Sequence, residues 1–279
     1  MKVLVTGVSG QLGFDVMREL LARGIEAKGA SRSDFSLTDF AAMRRFVEAH
    51  RPTAIIHCAA YTAVDKAEDE PELCREVNAA ATGELARLAK EIGAKFLYIS
   101  TDYVFPGTGE DFYEPEDEKA PCNVYGESKL LGEEAALEAL EELFIVRISW
   151  VFGENGKNFI KTMLRLAETH EELSVVGDQI GSPTYTRDLA RLLADMIVTE
   201  KYGVYHATNE GTCSWAELAA EALRCAGKKT RVKAIKTEEY PTKAKRPKNS
   251  RLSKKCLDDA GFSRLPDWRD AVARYVELI

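Results

Sequence analysis

Two segments of this sequence hold residue types suited to moving a proton at a carbonyl group. One is Ser100-Thr101-Asp102, at the end of an apolar run, and the other is Tyr125-x-x-x-Lys129. A spacing of four places the phenol and the amine on one face of a helix. An ammonium near a phenol favours the phenolate, so Lys129 is expected to draw the Tyr125 pKa toward neutrality and let Tyr125 exchange a proton. The same lysine can hydrogen-bond a cofactor ribose, and a Thr101 hydroxyl from a neighbouring strand can hold the carbonyl oxygen. The Tyr-x-x-x-Lys pattern recurs by chance; the threonine at a strand end and a third motif give it weight.

That motif is Gly7-x-x-Gly10-x-x-Gly13, with Gln11 and Leu12 between its last two glycines. It follows an apolar run and opens a helical pattern. Glycines there let the backbone turn tightly and approach a pyrophosphate, while the helix start offers free N–H groups and a positive dipole end. A second apolar run ends near Ala30-Ser31-Arg32, where a dinucleotide site selective for NAD usually carries an acid for the ribose 2′-hydroxyl. Here Arg32 could pair a 2′-phosphate instead, so NADPH is expected, with NADH possible. Asp34 and Phe35, just beyond, are placed to flank an adenine. Ala59, Ala60 and Tyr61 end a third run, where small residues let a cofactor pass close to the backbone; His57 before them reads as a packed core histidine.

These motifs require a scaffold that presents strand ends. The first half supplies one: Val3–Thr6, Ala27–Ala30, Ala54–Cys58, Lys95–Ser100 and Leu143–Ile148 read as strands. Between them, Gln11–Arg23, Asp39–His50, Glu72–Ile92 and Tyr125–Leu140 read as helices. Buried runs alternating with amphipathic helices predict a Rossmann-type doubly wound parallel sheet, which takes ligands at its carboxyl edge. After Trp150 helices are expected at Phe159–Thr169, Arg187–Thr199, Trp215–Cys225 and Asp267–Leu278, with short, isolated strands and a loop at Tyr240–Asn249. The expected organisation is a dinucleotide-binding domain over 1–150, to which segments near 185–206 return, and a smaller α/β substrate-binding region over 151–279.

Composition narrows the classes. The chain has 279 residues, 45% hydrophobic and 30% charged, with a net charge of −7. That balance argues against nucleic acid as a partner. No apolar run approaches the ~18 residues of a membrane span, and the first residues enter a strand-like run directly, so a cytoplasmic location is expected. Six scattered cysteines and four histidines without ligand spacing read as reduced thiols and no metal site. The Thr108–Glu142 stretch is acidic and Arg224–Lys255 basic. Both read as solvated faces and loops, or, for the basic stretch, as a surface facing a small anionic ligand.

With these residues in view, the chain resembles the extended short-chain dehydrogenase/reductases, and within them the dTDP-4-dehydrorhamnose reductase family. The resemblance runs over nearly the whole length. It is carried by Thr6-Gly7 to Gly13, Asp34-Phe35-Ser36, Ala59 to Glu68 and Ser100 to Phe105. Further on it is carried by Tyr125-Gly126-x-x-Lys129, Arg147-x-x-Trp150-Val151-Phe152-Gly153, Asp178-Gln179-x-Gly181-x-Pro183-Thr184 and Arg246-Pro247. It implies hydride transfer from NAD(P)H to the C4 ketone of a dTDP-linked 4-keto sugar, dTDP-4-dehydro-β-L-rhamnose. Tyr125 would give the proton, Lys129 would tune Tyr125 and hold the ribose, and Thr101 would fix the carbonyl. Asp102, Tyr103 and Trp150 would contact the sugar. The substrate's pyrophosphate then needs a second anion site, for which Arg246, ahead of the rigid Pro247, is the candidate.

Some members of that family hold Mg²⁺ at a dimer interface through acids. Asp15 stands at the first such position, but Thr186-Arg187-Asp188 gives no match for a second, so no metal is expected and the assembly stays open between monomer and homodimer. Two alternatives remain. One is a dehydratase or epimerase on the same fold; a dehydratase, which must also eliminate water, would need a further acid after Asp102, where Tyr103 stands. A non-catalytic NADP-binding subunit could dispense with Tyr125 or Lys129, and both are present.

Overall fold

The structure is a computed structural model describing residues 1–279. The first apolar run forms β1 (Lys2–Thr6), and the glycine turn leads into α1 (Gln11–Ala22). The alternation continues through β2 (Glu26–Ala30), α2 (Phe40–His50) and β3 (Ala54–His57). Asp39 caps α2 by accepting from the Ala42 amide at 2.9 Å. Two short helices follow, α3 (Val64–Ala67) and α4 (Pro71–Arg75), then a π-helical turn at Glu76–Ala80 and α5 (Ala81–Ile92). β4 (Lys95–Thr101), α6 (Val124–Ala139) and β5 (Leu143–Ile148) complete the first half.

The single helix expected over Glu72–Ile92 is therefore interrupted. The wider turn gives Asn78 an inward carbonyl, which accepts from Thr82 Oγ1 at 2.7 Å and Tyr98 OH at 3.2 Å. Its side chain is freed for other partners, a common use of such turns.

The second half contains β6 (Val151–Phe152), α7 (Phe159–Leu166), β7 (Glu172–Val176), β8 (Ile180–Gly181), β9 (Thr184–Tyr185), α8 (Thr186–Ile197) and β10 (Gly203–His206). It ends with β11 (Cys213–Ser214), α9 (Trp215–Cys225), β12 (Arg231–Ile235), β13 (Asn249–Ser250), α10 (Lys255–Asp259) and α11 (Trp268–Val276). The late strands are not isolated. β7 and β12 pair in parallel, Leu173 beside Val232, and β8 lies between β11 and β13.

The main sheet has six strands in the order β10-β5-β4-β3-β1-β2, all parallel. β3 and β5 are buried along their whole length, as a sheet covered on both faces requires. Val3 and Val5 of β1 face one core with Val16, Leu189 and Leu193, whereas Leu4 faces the other with Met43, Leu85 and Phe96. So α1 and α8 cover one face, and α2, α5 and α6 the other. Leu257, Phe262 and Leu265 also join the first core, so the carboxyl-terminal segment returns to the sheet as well as residues 185–206. A smaller core under the remaining elements gathers Phe152, Tyr185, Trp268 and Tyr275.

The chain turns from β1 to β2 on one side and to β3 on the other. That reversal opens a crevice at the carboxyl ends of β1 and β3. No helix is long and apolar enough to cross a membrane.

Candidate active site

At the switch point, Gly7 has φ +71°, a left-handed conformation that favours glycine, and a Cβ there would lie 2.8 Å from the Ala59 backbone. A Cβ on Gly13 would lie 2.4 Å from the Gly7 carbonyl, so α1 packs onto the turn only without one. Gly10, the N-cap of α1, offers no side-chain cap, and the first turn holds no acid. The helix start is therefore an uncapped cluster of donors, the arrangement that fits a dinucleotide pyrophosphate. The Leu12 side chain lies in the core, and Gln11 accepts from Asn158 Nδ2 at 3.0 Å. Asn155 donates to the Ser9 carbonyl at 2.8 Å, so the second half helps hold the glycine turn.

Past β2, Arg32 is exposed, while Asp34 turns back to accept from the Ser31 amide and hydroxyl at 2.8 and 2.9 Å. Those two bonds hold the Asp34 carboxyl below its ordinary pKa. The Phe35 ring is packed in the core, 5.2 Å from Phe46, so the ring expected to flank an adenine is occupied by the fold. Past β3, Ala59, Ala60 and Tyr61 are half-buried. Asn78 brackets Tyr61, accepting from its amide at 2.8 Å and donating to its carbonyl at 3.0 Å. His57 is buried, bonded to Thr6 Oγ1 at 2.7 Å and pushed down to about 3 by burial, so it stays neutral.

The proton-handling residues converge where β4 meets α6. Thr101 ends β4 and caps a short 3₁₀ turn over Asp102–Val104; its hydroxyl accepts from the Tyr103 amide at 3.2 Å and donates to Asp102 Oδ1 at 3.1 Å. Asn123 caps α6 through the Gly126 amide at 2.8 Å, which sets Tyr125 in the first turn. A Cβ on Gly126 would lie 2.2 Å from the Tyr103 carbonyl, so only glycine brings α6 this close to the turn after β4. The Tyr103 and Tyr125 rings meet edge to face at 5.6 Å.

The Tyr125 phenol is raised above its ordinary pKa, first by burial; the Thr101 hydroxyl beside it pulls the other way, and the Asp102 charge raises it further. Lys129 lies one turn deeper, donates to the Ile99 carbonyl at 2.7 Å and sits 4.0 Å from the Tyr98 ring centroid. Burial brings its pKa down to about 7, against the opposing charge of Glu133. The expectation that Lys129 pulls the phenol toward neutrality is thus reversed in the protein by itself. Burial dominates, and the hydrogen bond of the ammonium goes to the backbone.

Asp102 is buried, and its pKa is pushed up to about 7 by that burial, against the hydroxyls of Ser250 and Thr101. Its Oδ2 has no protein partner. Trp150 adopts φ +49° and stacks on Trp215 with ring centroids 3.8 Å apart. Arg246 lies beside Tyr103, donates to Asp65 at 2.7 Å, and borders a cavity of about 710 Å³ with Lys245, Lys248, Arg251 and Tyr240. Asp15 is bonded by Thr186 Oγ1 at 2.5 Å and Arg18 at 2.7 Å. No grouping of three or more His, Cys, Asp or Glu suited to a metal is present.

The structure therefore brings together Thr101, Asp102, Tyr103, Tyr125, Lys129 and Arg246 at one end of the sheet, with the glycine turn and Ala59–Tyr61 at the adjoining switch point. Asn78, Glu133 and Ser250 are further contributors that the sequence reading did not single out. Only the presence of a polar residue inside an otherwise helical apolar stripe marked Asn78.

Comparison with known proteins gives the family and agrees with the fold. The family described as RmlD substrate binding domain matches residues 1–279. The spore coat polysaccharide biosynthesis protein SpsK of Bacillus subtilis is 40% identical over 99% of this chain and 97% of its own. The dTDP-4-dehydrorhamnose reductase of Escherichia coli is 40% identical over 98% and 96%. A crystal structure of the Bacillus anthracis dTDP-4-dehydrorhamnose reductase in complex with NADP superimposes with a TM-score of 0.97 at 41% identity, covering 100% of both chains. A family match of full length, on a fold whose site already holds the Thr–Tyr–Lys set, places this chain in the RmlD family of dTDP-4-dehydrorhamnose reductases.

Proposed function

We propose that this protein reduces the C4 ketone of dTDP-4-dehydro-β-L-rhamnose to dTDP-L-rhamnose, using NADPH and accepting NADH. The observation that carries the reading is the placement of the Tyr125 phenol beside the Thr101 hydroxyl, with Lys129 one helical turn below, at the edge of the switch-point crevice. The names of its full-length relatives support the substrate.

The glycine turn and the start of α1 would hold the cofactor's pyrophosphate, Arg32 its 2′-phosphate, and Ala59–Tyr61 the chain between. NADPH, when bound, supplies the hydride. Thr101 hydrogen-bonds the sugar's carbonyl oxygen and orients it toward Tyr125. A phenol with a raised pKa keeps its proton in the resting protein. An alkoxide developing at C4 is a far stronger base than a phenolate, so Tyr125 donates only as that charge appears. Lys129, half-ionised near neutrality, holds the ribose and stabilises the phenolate left behind. Asp102, Tyr103 and Trp150 position the sugar, and Arg246 takes the diphosphate.

In this arrangement residues 1–150, with the returning segments, bind the cofactor and carry the residues at the reacting carbonyl, and 151–279 complete the site for the sugar nucleotide. The partner is a small molecule, not nucleic acid or membrane; the protein acts in the cytoplasm, as a monomer or homodimer. The residue after Asp102 is Tyr103, which favours simple reduction over a dehydratase, since elimination of water calls for a further carboxylate. Incubation with NADPH and the 4-keto sugar nucleotide tests the reading. Loss of absorbance at the nicotinamide band with formation of dTDP-L-rhamnose is expected, and cofactor binding without turnover would overturn it in favour of a non-catalytic subunit.

A further inference from the structure

About two turns along α6 from Tyr125, the Glu133 carboxylate is 3% exposed and ion-paired to an Arg147 side chain that is 2% exposed. Ser100 Oγ donates to it at 2.5 Å, Arg147 Nε at 2.9 Å and Arg147 Nη2 at 2.7 Å. Ser100 and Arg147 are register partners on β4 and β5, so two adjacent strands grip one carboxylate. Three consecutive residues of β4 thus meet α6. Ile99 accepts from Lys129, Ser100 donates to Glu133, and Thr101 lies beside Tyr125.

A buried ion pair contributes little net stability once both ions have left water, so folding alone is a weak account of this one. Its surroundings suggest another. The groups facing Lys129 are Glu133 on its own helix, Tyr98 on β4, His57 and Cys58 at the end of β3, and Cys74 on α4. Burial keeps His57 neutral at about 3 and pushes the Cys58 thiol up to about 12, and the Cys74 thiol and the Tyr98 phenol are raised likewise. Glu133, gripped by Arg147 as an ion pair, is the group left to act on Lys129 as a negative charge. Its own neighbours are Arg147 from β5, Ser100 and Tyr98 from β4, and Lys119 from the loop before α6. With its hydrogen bonds going to Ser100 and Arg147, the carboxylate lies one helical turn from Lys129 without taking its hydrogen bond.

We infer that Glu133 is a positioning residue for the reduction proposed above: it pins α6 to β4 so that Tyr125 meets Thr101, and its negative charge, one helical turn from Lys129, favours the ammonium form of that lysine against burial. This rests on that reading, in which Lys129 holds the cofactor ribose.

The test compares the wild type with Glu133→Gln and with the double variant Glu133→Gln/Arg147→Met, which avoids an unpaired buried guanidinium. Folding is checked by circular dichroism, and the Kd for NADPH is titrated from acid to alkaline pH. Wild-type affinity is expected to fall as pH rises through about 7. In Glu133→Gln that midpoint moves to lower pH by about one unit, the scale of shift a nearby opposite charge produces, and in the double variant, which also removes the Arg147 charge, it moves in the same sense by less, while affinity at the acid end stays near wild type. The cofactor's own 2′-phosphate titration is common to all three proteins and cancels. The alkaline limb of kcat shifts in the same sense. A midpoint unchanged in the folded variants, or a loss of affinity uniform across pH, overturns the inference and leaves Glu133 a structural residue. A wild type that binds no NADPH overturns the functional reading itself, before any variant is compared.

Discussion

Arg246 donates to Asp65 at 2.7 Å across 181 residues of sequence, joining the segment that follows β3 to the loop that precedes β13. Asp65 also accepts from the Ala244 amide at 3.0 Å, and Lys243 pairs with Asp69. The guanidinium thus already faces a half-exposed carboxylate at the edge of a cavity that also takes in Lys245, Lys248 and Arg251, together with Glu110, Asp178 and Glu238. In the proposed reaction an arriving diphosphate would compete with Asp65 for donors whose fork suits phosphate oxygens.

Arg246→Ala is therefore expected to raise KM for the dTDP-sugar. A hydrogen bond to a charged group contributes about 1.5–3 kcal/mol, roughly ten- to a hundredfold in affinity. The Kd for NADPH should hardly change. Steady-state kinetics and a cofactor titration read the two constants separately. If neither moves, the loop is only a charged surface.

Tyr125→Phe removes the proton donor and almost no volume. Proton transfer by a placed side chain is typically worth ~10²–10⁴-fold, so kcat should fall on that scale with folding and NADPH affinity retained. An unchanged kcat would remove Tyr125 from the mechanism.

Much of this site was legible because its signals are local. The strands of the first half are short buried runs, and Gly7, Gly13, Thr101, Tyr125 and Lys129 announce themselves by type and spacing. What was not legible depends on partners distant in sequence. β7 and β12 pair across the whole of α8, β10 and α9, and neither strand reveals its partner. Glu133 lies in an acidic stretch that reads as solvated, yet it is buried, because Ser100 and Arg147 wait on the sheet beneath. Phe35 has the type of a stacking ring but is claimed by the core beside Phe46. The sense of the Tyr125 shift also escaped, since spacing to Lys129 says nothing about burial.

Cofactor choice should depend on Arg32, which is exposed and close to the Asp34–Ser31 turn. Only NADPH carries a 2′-phosphate, so Arg32→Ala is expected to weaken NADPH by about tenfold, the scale of one exposed charge-assisted contact, and to spare NADH. Fluorescence titration with each cofactor measures this. Equal loss for both would make Arg32 structural.

Asp102 links the site to stability. Its pKa, ordinarily 3.8, is raised to about 7 in the fold. The folded chain then binds this proton more tightly than the unfolded chain. The resulting contribution is complete below the unfolded value and is lost as pH rises through about 7. Asp102→Asn, which cannot ionise, should match the wild-type Tm near pH 4 and exceed it by several degrees near pH 8, while kcat drops. Thermal unfolding across that range is the measurement, and a gap that does not widen with pH would show that Asp102 is not held protonated.

The most direct test of the central claim follows one atom. The protein is incubated with dTDP-4-dehydro-β-L-rhamnose and NADPH deuterated on the transferring face of C4 of the nicotinamide, and the sugar product is read by NMR. The account predicts a single deuterium at C4 of dTDP-L-rhamnose, formed at a rate that falls by orders of magnitude in Tyr125→Phe. A product without deuterium at C4, or label transferred as fast by the Phe variant as by the wild type, would contradict it.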